Sequence, residues 1–173
     1  FWRQLQWKDR RWNTRGPHLL ELIVAFLLIA LNGIFTLSEL AIVSARRTRL
    51  KNMVEDGKRG AASALALSEN PGRFLSTVQI GITLVGILAG AFSGAALGDQ
   101  LGEILLSEGV DPRFAHPVGY GLVIAFITYL SVVIGELVPK QLALRNAEGI
   151  ACFMAPIMNV VSKIGAPVVW FLD

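Results

Sequence analysis

Three stretches of this chain, residues 19–43, 74–97 and 118–138, are each predominantly apolar for more than twenty residues. At a rise of about 1.5 Å per residue, some 20 residues of helix match the ~30 Å hydrocarbon core of a bilayer. Inside lipid no water is present to satisfy backbone N–H and C=O groups, so a spanning segment must bond them internally, as a helix or a closed barrel. Continuous apolar runs of this length point to helices. The expected fold is therefore an all-α integral membrane domain with three transmembrane helices. A hydrophobic fraction of 53% agrees with that class, and 173 residues suffice for one domain.

The connections are polar in different ways. Residues 45–70 read as short amphipathic helices, the second ending at Asn70-Pro71, and are too polar to cross. Residues 98–117 read as a loop with Asp99, Glu103, Glu108 and Asp111 against a single Arg113. Residues 150–172 are apolar again, but Pro156 and Pro167 interrupt them and Asn159, Ser162 and Lys163 sit among them. That segment is expected to be a Pro-bent juxtamembrane belt helix along the membrane surface rather than a fourth crossing. Residues 1–18 mix Phe1, Trp2, Trp7 and Trp12 with Arg3, Lys8, Arg10, Arg11 and Arg15. They suit either a segment lying in the headgroups or a tail, preceding a transmembrane domain over 19–173.

Charge sets the orientation. The 44–73 connection carries Arg46, Arg47, Arg49, Lys51, Lys58, Arg59 and Arg73, whereas 98–117 carries only Arg113. By the positive-inside rule the first is cytoplasmic and the second external. A multi-pass protein of the cell's inner (plasma) membrane with a cytoplasmic C-terminus follows, although the basic residues before position 16 argue the other way. The net charge of +3 is small, and its basic residues flank apolar segments, so they suit lipid headgroups and not nucleic acid. The lone Cys152 excludes an internal disulfide or a cysteine zinc site. No nucleophile–base pair suggests an enzyme. A chain that starts Phe1-Trp2-Arg3 and stops at Asp173 after an apolar run reads as a piece of a longer protein.

Two carboxylates, Glu39 and Glu136, sit inside the apolar stretches. An ionised carboxylate at bilayer depth costs about 2.5–3.5 kcal/mol on insertion scales, so it needs a partner. At about 1.5 Å per residue, Glu39 lies roughly 10 Å from Arg46, Gly81 roughly 12 Å from Arg73 and Glu136 roughly 6 Å from Lys140. All three helices thus place polar residues or glycines in one slab of the inner half of the bilayer. Asn32, Thr36 and Glu39, spaced i, i+4, i+7, share one helix face and offer an amide oxygen, a hydroxyl and a carboxylate. A loosened turn near Gly81 or Gly135 would free backbone carbonyls. Such an all-oxygen set suits a hard cation, Mg2+ or Na+. Blander readings stand beside this. Asn32 and Thr36 could bond across helices, Glu39 could pair with Arg46 or Arg47, and Glu136 could pair with Lys140. Convergence of two carboxylates from different helices favours the cation site. Gly86, Gly90, Gly94 and Gly98 recur every four residues, a small-residue face for close helix packing within the chain or against a second copy.

Three ordered motifs then resemble the transmembrane domain of the CNNM/CorC magnesium transporters, the hemolysin-C-like membrane proteins. They are Asn32-Gly-Ile-Phe-Thr-Leu-Ser-Glu-Leu-Ala-Ile-Val-Ser-Ala-Arg-Arg, Asn70-Pro-Gly-Arg-Phe-Leu-Ser-Thr-Val-Gln-Ile-Gly-Ile-Thr-Leu and Gly135-Glu-Leu-Val-Pro-Lys. The resemblance implies a homodimer with three spanning helices per subunit, a belt helix, and Mg2+ export driven by Na+ entry. It also implies cytoplasmic CBS domains beyond residue 173, which bind ATP in relatives. By position, Asn32 and Thr36 replace two serines of some relatives, Glu39 replaces an asparagine, and Glu136 is the carboxylate expected to face the ion. Lys140 is a candidate gating or charge partner. One departure matters: where the best-understood relatives have Gly-Asn-Thr-Leu-Val-Asn, this chain has Gly81-Ile82-Thr83-Leu84-Val85-Gly86 and lacks both amides. A related but rebuilt site is expected. Its cargo could also be another divalent or organic cation such as a polyamine, and a non-transporting ion-sensing scaffold is the further alternative.

Overall fold

The computed structural model describes residues 18–172, so the expectation for the first 17 residues lies outside it. Among the described residues the chain is wholly helical. The order is α1 (His18–Ser44), α2 (Arg47–Glu55), α3 (Ala61–Glu69), α4 (Gly72–Ser107), α5 (Pro112–Val132), a π-helical turn (Val133–Leu137), α6 (Val138–Arg145) and α7 (Ala147–Leu172). α5, the π turn and α6 follow one another without a break. Among the described residues four helical stretches are long and apolar enough to cross a membrane: Leu20–Ser44, Gly72–Ser107, Pro112–Arg145 and Ala147–Pro167. Three match the expected spans. The fourth is α7, which continues as helix through both Pro156 and Pro167 and meets the length and composition of a span despite Lys163.

The expected loop over 98–117 is a correction. α4 runs on to Ser107, α5 starts at Pro112, and only a short turn separates them. The turn's chemistry explains both ends. Gly109 has φ +91, and the N–H groups of Gly109 and Val110 donate to the carbonyls of Leu106 and Leu105 at 3.1 and 3.0 Å. This closes α4 in a Schellman motif, where glycine alone takes the left-handed φ without strain. Asp111 then caps α5 by accepting from the Arg113 N–H at 2.9 Å, and Pro112 fills the first helical position. Four acidic residues near the turn suggest a loop, but the capping residues are the stronger signal.

Glycine also sets how α4 and α5 meet. A Cβ on Gly119 would lie 2.6 Å from the Gly102 nitrogen and 2.9 Å from the Gly98 carbonyl oxygen, and one on Gly98 would lie 2.8 Å from the Tyr120 ring. The backbones touch, so the packed neighbour of Gly94 and Gly98 belongs to the same chain. Gly86 and Gly90, on the same row, have nothing within 4 Å of the position a Cβ would take. One small-residue face is therefore used in two ways.

The core sits at the opposite, basic end. Ala41, Ile42, Leu50, Ala61, Ala64, Phe74, Val78, Ala143, Ala151 and Met158 form one buried cluster that ties the end of α1 and the start of α4 to α2, α3, α6 and α7. Elsewhere α1, α4 and α5 expose Phe26, Leu27, Leu84, Ile87, Leu122 and Phe126, the outward apolar surface that lipid accepts without cost.

Candidate functional site

Between the basic core and the glycine-packed end, α1 lies directly against the π turn. A Cβ on Gly135 would come within 3.1 Å of Asn32 Nδ2 and 3.3 Å of the Ile29 carbonyl oxygen, and one on Gly33 would lie 3.2 Å from Pro139 and 3.3 Å from the Ile134 carbonyl oxygen. Two glycines facing each other bring the helices into backbone contact. The turn itself is wide because the Val138 N–H reaches back to the Val133 carbonyl, five residues away. Pro139 has no N–H to return to the carbonyls of Ile134 or Gly135. Wide turns of this kind recur at functional sites because they turn a side chain and free a carbonyl. Here the side chain so placed is Glu136.

Glu136 stands between two adjoining hollows. One, of about 320 Å³, is lined by Thr36, Glu39, Gln79, Ile82, Glu136 and Lys140, with Leu40 and Val43. The other, of about 290 Å³, is lined by Asn32, Thr83, Gly86, Gly90, Thr128, Ser131 and Glu136 with apolar neighbours. Ile82 and Glu136 are common to both. The Lys140 ammonium donates to Glu136 Oε1 at 2.5 Å, and the charged groups acting on Glu39 are Lys140 and Glu136. Among the described residues no ion pair joins Arg46 or Arg47 to Glu39, and Arg49 reaches Glu148, at 3.5 Å.

Two oxygens in these walls have nothing to bind among the described residues. Asn32 is 8% exposed and Thr36 only 2%, yet Asn32 Oδ1 and Thr36 Oγ1 have no hydrogen-bond partner there. A buried unpaired polar group costs about 1–3 kcal/mol, so most such groups are paired. Nearby hydroxyls show the usual solution: Ser38 donates to the Ile34 carbonyl at 2.6 Å and Thr77 to the Arg73 carbonyl at 2.8 Å. Asn32 Oδ1 and Thr36 Oγ1 therefore do not serve the interhelical bonding that their residue types also suggest.

Of the residues singled out from sequence, Thr36, Glu39, Glu136 and Lys140 line one hollow and Asn32, Gly86, Gly90 and Glu136 the other, with Gly135 against Asn32. Gly81 is elsewhere. It lies inside the unbroken helix α4, faces the Phe35 ring, and lines a separate small cavity with Thr77, Val161 and Gly165. No loosened turn exists there, because α4 has no proline to withhold a donor as Pro139 does. Two further residues belong to the site and escape the sequence reading. Gln79, one helical turn before Ile82, brings an amide from α4 to the hollow that lacks the expected asparagines; its only signal is a lone amide at i−3 on the same face. Gly33 is legible only as a neighbour of Asn32.

Among the described residues, no three of His, Cys, Asp and Glu cluster in the way that holds a metal by side-chain charge alone. A cation here would use two carboxylates, neutral oxygens and its own water.

Fold and hollow together define a polytopic membrane protein with a charged, oxygen-lined cleft between its spanning helices. Residues 23–173 match the family model described as the Cyclin M transmembrane N-terminal domain, and the chain belongs to that family, CNNM. It is 50% identical over 153 residues to the UPF0053 protein sll0260 of Synechocystis, covering 88% of this chain and 34% of that protein. It is 36% identical over 163 residues to the UPF0053 protein YrkA of Bacillus subtilis (89% and 36%). A Haemophilus influenzae protein named polyamine export protein is 30% identical over 156 residues (90% and 35%). The chain thus spans about a third of the length of these relatives.

Proposed function

We propose that this domain carries a cation across the membrane, with Mg2+ moved outward in exchange for Na+ as the leading cargo. The observation that supports this most is the pair of unpartnered buried oxygens, Asn32 Oδ1 and Thr36 Oγ1, carried by residues that line the two hollows Glu136 joins. Oxygen donors without sulfur or imidazole suit hard cations. A hollow of about 320 Å³ has room for on the order of ten waters at ~30 Å³ each. Mg2+ gives up its waters reluctantly and keeps several in most protein sites, so a roomy hollow with few direct ligands fits it. Glu136 and Glu39 would supply charge, and Asn32, Thr36, Gln79 and a carbonyl of the π turn would offer neutral oxygens to the ion, mostly through the waters it keeps.

In this reading α1, α4 and the α5–α6 rod span the bilayer, while α7 with its internal prolines lies along the cytoplasmic face. Two copies assemble as a homodimer, and CBS domains following residue 173 respond to ATP. A second reading keeps the cleft and changes the cargo to an organic dication. The relative named polyamine export protein favours it, as does the alkylammonium of Lys140 already seated on Glu136.

Flux through the full-length protein in proteoliposomes tests both. Mg2+ leaves loaded vesicles faster when Na+ is supplied outside, and Glu136→Gln removes the flux without loss of protein. Diamine flux without Mg2+ flux would hand the cargo to the second reading. Ion binding with no movement of either cargo would leave a sensor rather than a carrier.

A further inference from the structure

We infer that Lys140 is a tethered competitor of the cargo, a built-in cation that holds the site when no ion is present and must leave for one to bind. This rests on the reading of the hollow as a cation site and adds to it the group that sets affinity and turnover. Lys140 Nζ sits 2.5 Å from Glu136 Oε1, lines the same hollow as Thr36, Glu39 and Gln79, and acts electrostatically on Glu39 as well. An ammonium at that point occupies the place where a metal would meet Glu136, within electrostatic reach of Glu39.

Charge counting gives the consequence. With Lys140 seated, the two carboxylates and one ammonium leave the hollow with a single negative charge, a poor match for a dication. With Lys140 withdrawn, two negative charges face the ion. The lysine can withdraw because its side chain is 43% exposed and Glu136 is 47% exposed, and because it ends in a point charge on a flexible four-carbon stem. It stands in the first turn of α6, which runs on to the exposed Arg145. When cargo departs, the returning ammonium spares the membrane interior a second bare carboxylate. The empty carrier can then reset. Pairing between Glu136 and Lys140 is thus one state of the site rather than an alternative to it.

Equilibrium binding of Mg2+ and of Na+ to the full-length protein in lipid nanodiscs tests this with Lys140→Met, Lys140→Gln, Lys140→Arg and Glu136→Gln. Removing the ammonium tightens binding of both ions. Coulomb energy scales with the charge of the ion, so a gain of about threefold for Na+ should accompany about tenfold for Mg2+. Lys140→Arg keeps the charge and binds near wild type. In vesicles Lys140→Met and Lys140→Gln bind tightly yet turn over slowly. An equal gain for both ions signals a reshaped hollow rather than a removed charge and overturns the inference. Unchanged or weaker Mg2+ binding in both Lys140→Met and Lys140→Gln, with binding lost in Glu136→Gln, overturns it while the cation site survives. Wild-type binding in Glu136→Gln removes the cation site itself. Lys140→Gln, the more polar of the two uncharged replacements, serves if the methionine variant does not fold.

Discussion

The two halves of α4 carry the same residue at the same interval and do opposite things with it. From Gly94 through Gly98 to Gly102, a missing Cβ lets α5 approach until a methyl on Gly119 would strike the backbone of Gly102. At Gly86 and Gly90 the missing Cβ leaves space, and both residues wall the hollow beneath Glu136. A four-residue glycine repeat in a membrane helix therefore fixes only where bulk is absent. Whether the gap is closed by a neighbour or kept for a ligand depends on what the partner helix offers opposite. Facing Gly98 and Gly102, α5 offers Gly119 and can close. Nearer the basic end the π turn carries Glu136 into the gap instead.

The sharpest way to break this contrast is Gly119→Ala. Its methyl meets backbone atoms at 2.6 and 2.9 Å, and backbone cannot swing aside as a side chain can. Overpacking costs about 1–3 kcal/mol where side chains yield, so this variant is expected at the upper end of that range. Thermal unfolding in detergent, read as recovered monodisperse protein, checks it. Unchanged stability would mean that α4 and α5 are not in backbone contact.

Gly90→Leu should do the reverse. Nothing lies within 4 Å of a Cβ there, and replacing a mid-helix glycine by leucine gains up to about 1 kcal/mol of helix propensity. Stability is expected to hold or rise while a side chain plugs a hollow of about 290 Å³. Cation flux in proteoliposomes should fall at least about tenfold, the equivalent of ~1.4 kcal/mol. Flux at the wild-type rate would place the cargo's route outside this hollow.

How far the sequence shows this division follows from the kind of signal each part carries. The helices are legible because apolar length is a property of each segment alone. The convergence of Glu39 and Glu136 is accessible through depth arithmetic, since helical rise converts position into height. Rotation about the helix axis is not accessible. Gly81 stands at the right height but faces Phe35, and Gln79 faces the hollow although the expected asparagine positions, Ile82 and Gly86, draw attention away from it. The π turn is half visible: Gly135 and Pro139 mark a place where the ladder must fail, but by sequence alone Gly81 looks its equal. The tight α4–α5 turn is fully encoded in Gly109, Asp111 and Pro112, and only the surrounding acidic residues hide it.

The finest test compares two buried hydroxyls that are both without partners among the described residues. Thr36 Oγ1 and Ser93 Oγ are each unbonded, in residues 2% and 1% exposed. Thr36 lines a hollow with Glu39 and Glu136, whereas Ser93 is not among the residues lining either hollow. Replacing an unsatisfied hydroxyl by an apolar group of similar shape is neutral or stabilising, because no bond is lost and a desolvation cost disappears. Thr36→Val is therefore expected to leave stability unchanged or slightly raised and to lower flux about threefold to tenfold, ~0.7–1.4 kcal/mol of cation interaction. Ser93→Ala is expected to raise stability by no more than about 0.5 kcal/mol through helix propensity and to leave flux as it was. Equal flux in both variants would show that the unpaired oxygen of Thr36 is a packing accident like that of Ser93. A loss confined to Thr36→Val ties the missing bond to the cargo, since both substitutions remove the same chemical group from the same kind of burial.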